Sequence, residues 1–193
     1  AGSALTAGGL SSSAFVATNT AGATAAFTWM LLSWIYRRPT IMGTVTGAVA
    51  GLATITPAAG YVTPIAGVPI GFGAAIICYY AMLFFKTRLN FDDSLDVFAV
   101  HGVGGLFGML MVGVFASLAV NPAGADGLIA GSAAQLLKQL IGIVAVGGYA
   151  FIVTWLLGKL VAVTIGLRVG QSEETVGLDI SQHGERPYGG LLR

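Results

Sequence analysis

His101 is the residue in this chain whose type and setting point most directly to chemistry. It closes an acidic approach, Asp92-Asp93-Ser94-Leu95-Asp96-Val97-Phe98-Ala99-Val100-His101, and opens a glycine-rich run, Gly102-Val103-Gly104-Gly105. The sequence around it is apolar enough for a membrane helix, where an ionisable group is costly and marks a functional site by default. In so dry a setting the imidazole is expected to stand uncharged. One ring nitrogen then donates and the other accepts, so the ring can pass on a proton or a small polar molecule. The glycines are expected to clear space beside it. The competing reading is a structural histidine, hydrogen-bonded between helices. A metal centre is a poorer reading, because chelation needs several ligands and the other histidine, His183, lies in a polar tail.

Asp96 stands five residues before His101, so on a helix it points elsewhere. It reads as a structural group at the helix base, capping the first turn or binding backbone amides. Ser94 or Asp93 is a candidate N-cap, and Asp92 and Asp93 read as a solvated helix start. No nucleophile stands near a base, no phosphate loop is present and there is no cysteine cluster. The chain therefore does not read as an enzyme and implies no cofactor.

The elements that must position these residues are membrane helices. Of the 193 residues, 55% are hydrophobic and 9% are charged, against about a quarter charged in a typical soluble domain. The 29 glycines are spread through the apolar runs, as in close-packed membrane helices. A bilayer core about 30 Å thick takes roughly 20 apolar residues as helix. Five segments fit or nearly fit: 11–36, 41–55, 64–85, 94–118 and 132–167. None alternates as a barrel strand would. The second is short and carries Gly43, Gly47 and Gly51 at four-residue spacing, a smooth face for a close neighbour.

Charge placement orients the five. Arg37, Arg38, Lys86 and Arg88 follow the first and third segments, and Arg168 follows the fifth. The links 56–63 and 119–131 hold no Lys or Arg. The positive-inside rule puts the first set, and the C-terminus, in the cytoplasm and the N-terminus outside. Lys138 is expected to snorkel to the outer surface and Lys159 to the inner one; with no acid in its segment, Lys159 does not suit a Schiff base. Residues 1–168 thus read as a membrane domain and 169–193 as a cytoplasmic tail. The net charge of +1, with scattered Lys and Arg, argues against a nucleic-acid partner. A lone cysteine, Cys78, forms no internal disulfide and reads as a buried small hydrophobe. The opening Ala1-Gly2-Ser3, without Met or signal pattern, reads as mid-chain sequence from a fragment.

The histidine segment, read as Asp92-Asp93-x-x-Asp96-Val97-Phe98-x-Val100-His101-Gly102-Val103-x-Gly105, resembles the second pore-histidine helix of the Amt/Mep/Rh ammonium transporters, Amt type. The opening Ala1-Gly2-Ser3-Ala4 resembles the segment after a pore-lining phenylalanine of that family. Gly47-Ala48-Val49-Ala50-Gly51-Leu52 with Thr56-Pro57-Ala58-x-Gly60-Tyr61 is similar too. So is the tail, Gly166-Leu167-Arg168-Val169 and Gly177-Leu178-Asp179-x-Ser181-x-His183-Gly184-Glu185-x-x-Tyr188. The resemblance spans the chain and implies an all-α membrane fold of eleven helices in two inverted halves plus a last helix, of which this chain supplies helices seven to eleven and the tail. It implies a homotrimer with one pore per subunit, a hydrogen-bonded histidine pair of which His101 is the second member, ammonium binding at the outer mouth by the Ser3 hydroxyl, a structural role for Asp96, and a tail that couples subunits and can meet a PII-type signalling protein. The other histidine and the aromatic gate belong to the half that these residues do not include. The function it implies is ammonium or ammonia transport in a cell membrane. The alternative is a membrane sensor that binds ammonium and signals through its tail. An unrelated secondary transporter would need a broken helix with a coordination site, for which Pro64 and Pro69 are the weak candidates.

Overall fold

The structure, a computed structural model, describes residues 2–36 and 38–185, except for the side chain of Ser3. Arg37 and the tail residue Tyr188 lie outside the described residues. All regular structure among these residues is helical. A short 3-10 turn, Gly2–Ala4, precedes α1 (Gly9–Tyr36) and α2 (Ile41–Ile55). A 3-10 turn at Pro64–Ala66 leads into α3 (Gly67–Arg88). A π-helical turn, Phe98–Val103, runs straight into α4 (Gly104–Phe115); α5 (Ala133–Thr164) and the short α6 (Gln171–Val176) follow. The chain forms two compact units, residues 1–145 and 146–193.

Five long helices stand where the apolar segments are expected, with changed ends. The third span, Pro64–Arg88, the fourth, Phe98–Phe115, and α5 are each long and apolar enough to cross a membrane, and α2 is a shorter apolar helix. With 28 residues α1 has the length, but Thr18, Asn19, Thr20, Thr24 and Thr28 dilute its apolar character. Three of these threonines satisfy themselves on the preceding turn: Thr18, Thr20 and Thr28 donate to the carbonyls of Ala14, Val16 and Thr24 at 2.7–2.8 Å. That back-bonding makes a hydroxyl tolerable where water is scarce.

The link between α1 and α2 is short because Pro39 and Thr40 break the helix and restart it at once. Thr40 is extended, and its Oγ1 accepts the Gly43 N–H at 3.0 Å, filling one of the donors a helix start leaves open. Pro57, lacking an N–H, ends α2 two residues after Ile55. Asn90, at φ 50°, turns the chain out of α3.

Packing in the first unit rests on small residues. Lipid tails are as apolar as leucine, so helices are held by close van der Waals approach. Ala17, Ala21 and Ala25 of α1 are fully buried. A Cβ on Gly51 or on Gly71 would stand 2.4 or 2.3 Å from the Ala21 carbonyl oxygen, so α1 is gripped on two sides by α2 and α3. Gly47 meets Trp29 in the same way, which is the close approach the four-residue glycine spacing predicts. One core cluster gathers Ile55, Val62, Ile70 and Val112, and the other Trp29, Cys78, Tyr79 and Val100. In the second unit the Lys159 Nζ sits 5.8 Å from the Trp155 ring centre, and Arg168 bonds Glu174 at 2.8 Å.

Candidate functional site

The link from α3 to the π-helical turn builds the site. Lys86 and Arg88 close α3, and Asn90 starts the return. Asp93 then reaches forward over the new helix. Its two carboxylate oxygens accept the Val97 N–H at 2.9 Å and the Phe98 N–H at 2.8 Å. These bonds to the charged form, that from Phe98 first, hold the Asp93 carboxyl below its usual range. Asp93 is therefore the capping group of the two candidates.

Asp96 sits just before the helix in the left-handed region, φ 58°, a conformation Asp tolerates better than most residues. Its carboxylate meets the Lys86 ammonium at 2.8 Å. Its carbonyl accepts the Val100 N–H at 2.9 Å. So among the described residues Asp96 binds no amides through its side chain. It ties the end of α3 to the residue that precedes His101.

His101 stands in the π-helical turn, one turn from the helix start, because 94–96 form the approach and not the first turn. Turns of this kind are frequent at functional sites. The imidazole is exposed on the surface of this chain and makes no hydrogen bond among the described residues. It lines a broad concavity of about 490 Å³ with Phe91, Asp92, Asp93, Val97, Phe98 and Gly102. Phe98 is pinned at 5.0 Å between ring centres against Phe85, which stacks on Phe91 at 5.5 Å.

The glycines after His101 divide by face. Gly104 and Gly108 are buried: a Cβ on Gly104 would meet Thr54 Oγ1 at 2.8 Å and Cys78 Sγ at 3.2 Å, and one on Gly108 would stand 2.0 Å from the Thr54 carbonyl oxygen. Gly105 opens on free space, while Gly102 lies under the Phe98 ring. The helix is thus locked to α2 along one side and presents His101 on another. The described residues do not enclose a lumen around the ring.

Ser3 has its backbone in the first 3-10 turn, and its side chain lies outside the described residues. Its neighbour Ala4 lines a separate cavity of about 290 Å³ with Leu10, Thr18, Tyr61 and Asn121. That cavity is at the start of α1, whereas the end of α1 meets α3 through Tyr36 and Tyr80, hydroxyl to hydroxyl at 2.9 Å. Asp96 and His101 therefore share one element, and Ser3 is apart from them. Lys86 was not legible as a site residue; its signal was a base ending one span ten residues before an acid opening the next. No group of His, Cys, Asp and Glu suited to a metal occurs among the described residues.

Helices long and apolar enough to cross a membrane, packed through glycine, with a histidine on an exposed turn near the start of one, define an all-α membrane fold. The chain belongs to the Ammonium Transporter Family, whose model matches residues 1–188. It is 45% identical over 188 residues to an ammonium transporter of Bacillus subtilis, covering 97% of this chain and 46% of that protein. Saccharomyces cerevisiae Mep2 superposes with a TM-score of 0.78 at 32% identity, over 84% of this chain and 38% of that one. A structure described as a sensor Amt protein superposes with a TM-score of 0.81 at 29% identity, over 94% of this chain and 44% of that one. The chain spans about half the length of the curated relatives it matches, and its fold is part of the Amt fold.

Proposed function

We propose that these residues are the second half of a transporter that moves ammonium or ammonia across a membrane, with His101 as a relay in its pore. The observation that carries this reading is the placement of His101: an imidazole with no hydrogen-bond partner among the described residues, on a helix fixed by Asp93, by Lys86–Asp96 and by Gly104–Gly108 packing. A ring so held and left open suits a path shared with the other half of the protein. The chemistry is selective. A bare ion faces a heavy desolvation cost in an apolar passage. Ammonium can leave its proton with an acceptor and continue as ammonia, which potassium cannot do. Ser3 at the outer mouth would accept a hydrogen bond from the cation. Asp96 keeps a structural role at the helix base. The protein works as a homotrimer with residues 1–168 in the membrane and 169–193 in the cytoplasm. The Arg38, Lys86, Arg88 and Arg168 positions support that orientation.

Ammonium currents in the full-length protein test the reading. His101→Ala should abolish selective uptake; unchanged currents with potassium still excluded would remove His101 from the mechanism.

One observation favours a second reading, in which the protein senses ammonium and signals through its tail: the likeness to the sensor Amt protein. A PII-type protein is the partner such a tail would meet. Removing residues after 168 and measuring uptake apart from signalling separates the two, since a sensor loses its signal and a transporter keeps most of its flux.

A further inference from the structure

Three largely buried polar side chains, in the parts of α1 and α3 that run towards the basic links, make no hydrogen bond among the described residues. Trp29 is 2% exposed, Ser33 9% and Tyr79 3%, and none has a hydrogen-bond partner among the described residues. The one fully enclosed side-chain polar atom that lacks a partner among these residues is Thr54 Oγ1. The indole N–H of Trp29 and the hydroxyls of Ser33 and Tyr79 therefore keep what little accessible surface their residues have. The space these three residues share is a cavity of about 350 Å³, which Arg38, Thr40 and Asp96 also line. Gly43 places the start of α2 beside the indole: a Cβ there would be in ordinary contact with Trp29 Nε1, at 3.6 Å. The polar groups of Trp29, Ser33 and Tyr79 border the cavity with no protein partner among the described residues, so an occupant that accepts hydrogen bonds has three donors to meet.

The character of the lining says which occupant. Trp and Arg only donate, and Ser and Tyr can donate. Arg38 makes no ion pair among the described residues. The start of α2 reaches the same cavity through Met42 and Gly43, adding the positive end of a helix of 15 residues. The one acid present, Asp96, already holds its charge against Lys86 at 2.8 Å. Charged and neutral donors thus converge with a single, compensated carboxylate.

We infer that this cavity binds a phosphate-class oxyanion, carried either on a phospholipid headgroup or free in solution, at the end of the helix bundle away from Ser3. Arg38 supplies the charge, and Trp29, Ser33 and Tyr79 supply the hydrogen bonds that fix the oxygens. Charge-assisted bonds of this kind are the strong ones.

The test uses the full-length protein in nanodiscs, as wild type, Ser33→Ala, Arg38→Gln and Trp29→Phe, each checked for an unchanged melting temperature. One arm titrates inorganic phosphate in pure phosphatidylcholine. The other measures, by native mass spectrometry, retention of phosphatidic acid against phosphatidylcholine. Saturable phosphate binding, weakened about tenfold by each variant, identifies the free anion as sufficient. Retention of phosphatidic acid alone, weakened to the same degree, identifies the headgroup. The inference is overturned if neither probe binds, if the variants bind as wild type does, or if a high-resolution map finds only water or another part of the protein in the cavity. Should Trp29→Phe fail to fold, Ser33→Ala decides, since it removes a single hydroxyl and no packing contact of size.

Discussion

The relay proposed for His101 requires its ring to be held at a fixed angle to what it serves. The restraints on the turn that carries it come from two acids on the approach. Asp93 serves the helix only when ionised, because its two oxygens accept the Val97 and Phe98 amides. Its carboxyl is lowered from the ordinary value, so the stabilisation is present above about pH 4, the unfolded range, and is lost as pH falls through the lower folded value. We expect the order of this turn, followed by hydrogen exchange at Phe98, to be flat from neutral pH to about 4 and to decline below it; Asp93→Asn should flatten that decline and raise exchange at all pH values. Asp96 acts through its backbone and needs Lys86 to hold it. An exposed ion pair is worth little in stability, but a displacement of about 1 Å can cost on the order of 100-fold in rate. Asp96→Asn and Lys86→Gln should therefore lower maximal ammonium flux by about tenfold or more with little change in half-saturation and little change in melting temperature. Exchanging the two, Lys86→Asp with Asp96→Lys, should recover part of the flux. Equal loss in the exchange and single variants would reduce the pair to a local structural contact.

At the scale of the element, the helix that carries His101 is defined by what it cannot accommodate. Gly108 faces backbone at 2.0 Å from a Cβ position, and Gly105 faces nothing. Gly108→Ala is expected to push α4 from α2, lowering stability by about 1–3 kcal/mol or more, since a carbonyl gives way less easily than a side chain. Gly105→Ala should leave the melting temperature unchanged, so the two variants measured together separate packing from helix propensity. The existence, order and close packing of the five helices were legible from apolar length and from glycine at four-residue spacing, because both reflect local rules. The start of the fourth helix was not. Ser94 and Asp93 are equally good caps by type, and the left-handed turn at Asp96 depends on Lys86, ten residues earlier and on another helix. His101 stood out as a candidate because an ionisable residue in an apolar run is rare. Its exposure was not legible, because glycines at 102, 104 and 105 give no sign of which of them meets α2. The donors around Trp29 were hidden for a similar reason: Ser33 and Tyr79 come together only when α1 and α3 pack.

Across the whole molecule, the face of the fourth helix that bears His101 is apolar yet uncovered in this chain: Val97, Phe98 and Leu106 are each 46–51% exposed beside it. Apolar exposure alone is ordinary in lipid, but a histidine with no partner among the described residues is not, because its ring nitrogens need water or a polar neighbour. In relatives about twice as long, the remaining half is the natural source of that neighbour. Residues 1–193 expressed alone should insert in membranes and give no saturable uptake of labelled methylammonium. Co-expression with the matching first half as a separate chain should restore saturable uptake, because helix halves that fold independently can associate by packing. In the restored pair, His101→Ala should again remove it, and Gly108→Ala should reduce association of the halves less than it reduces the stability of this one, since Gly108 packs within this chain against Thr54. Uptake by residues 1–193 alone would mean that the open face of His101 forms a path without the other half, through self-association of this chain.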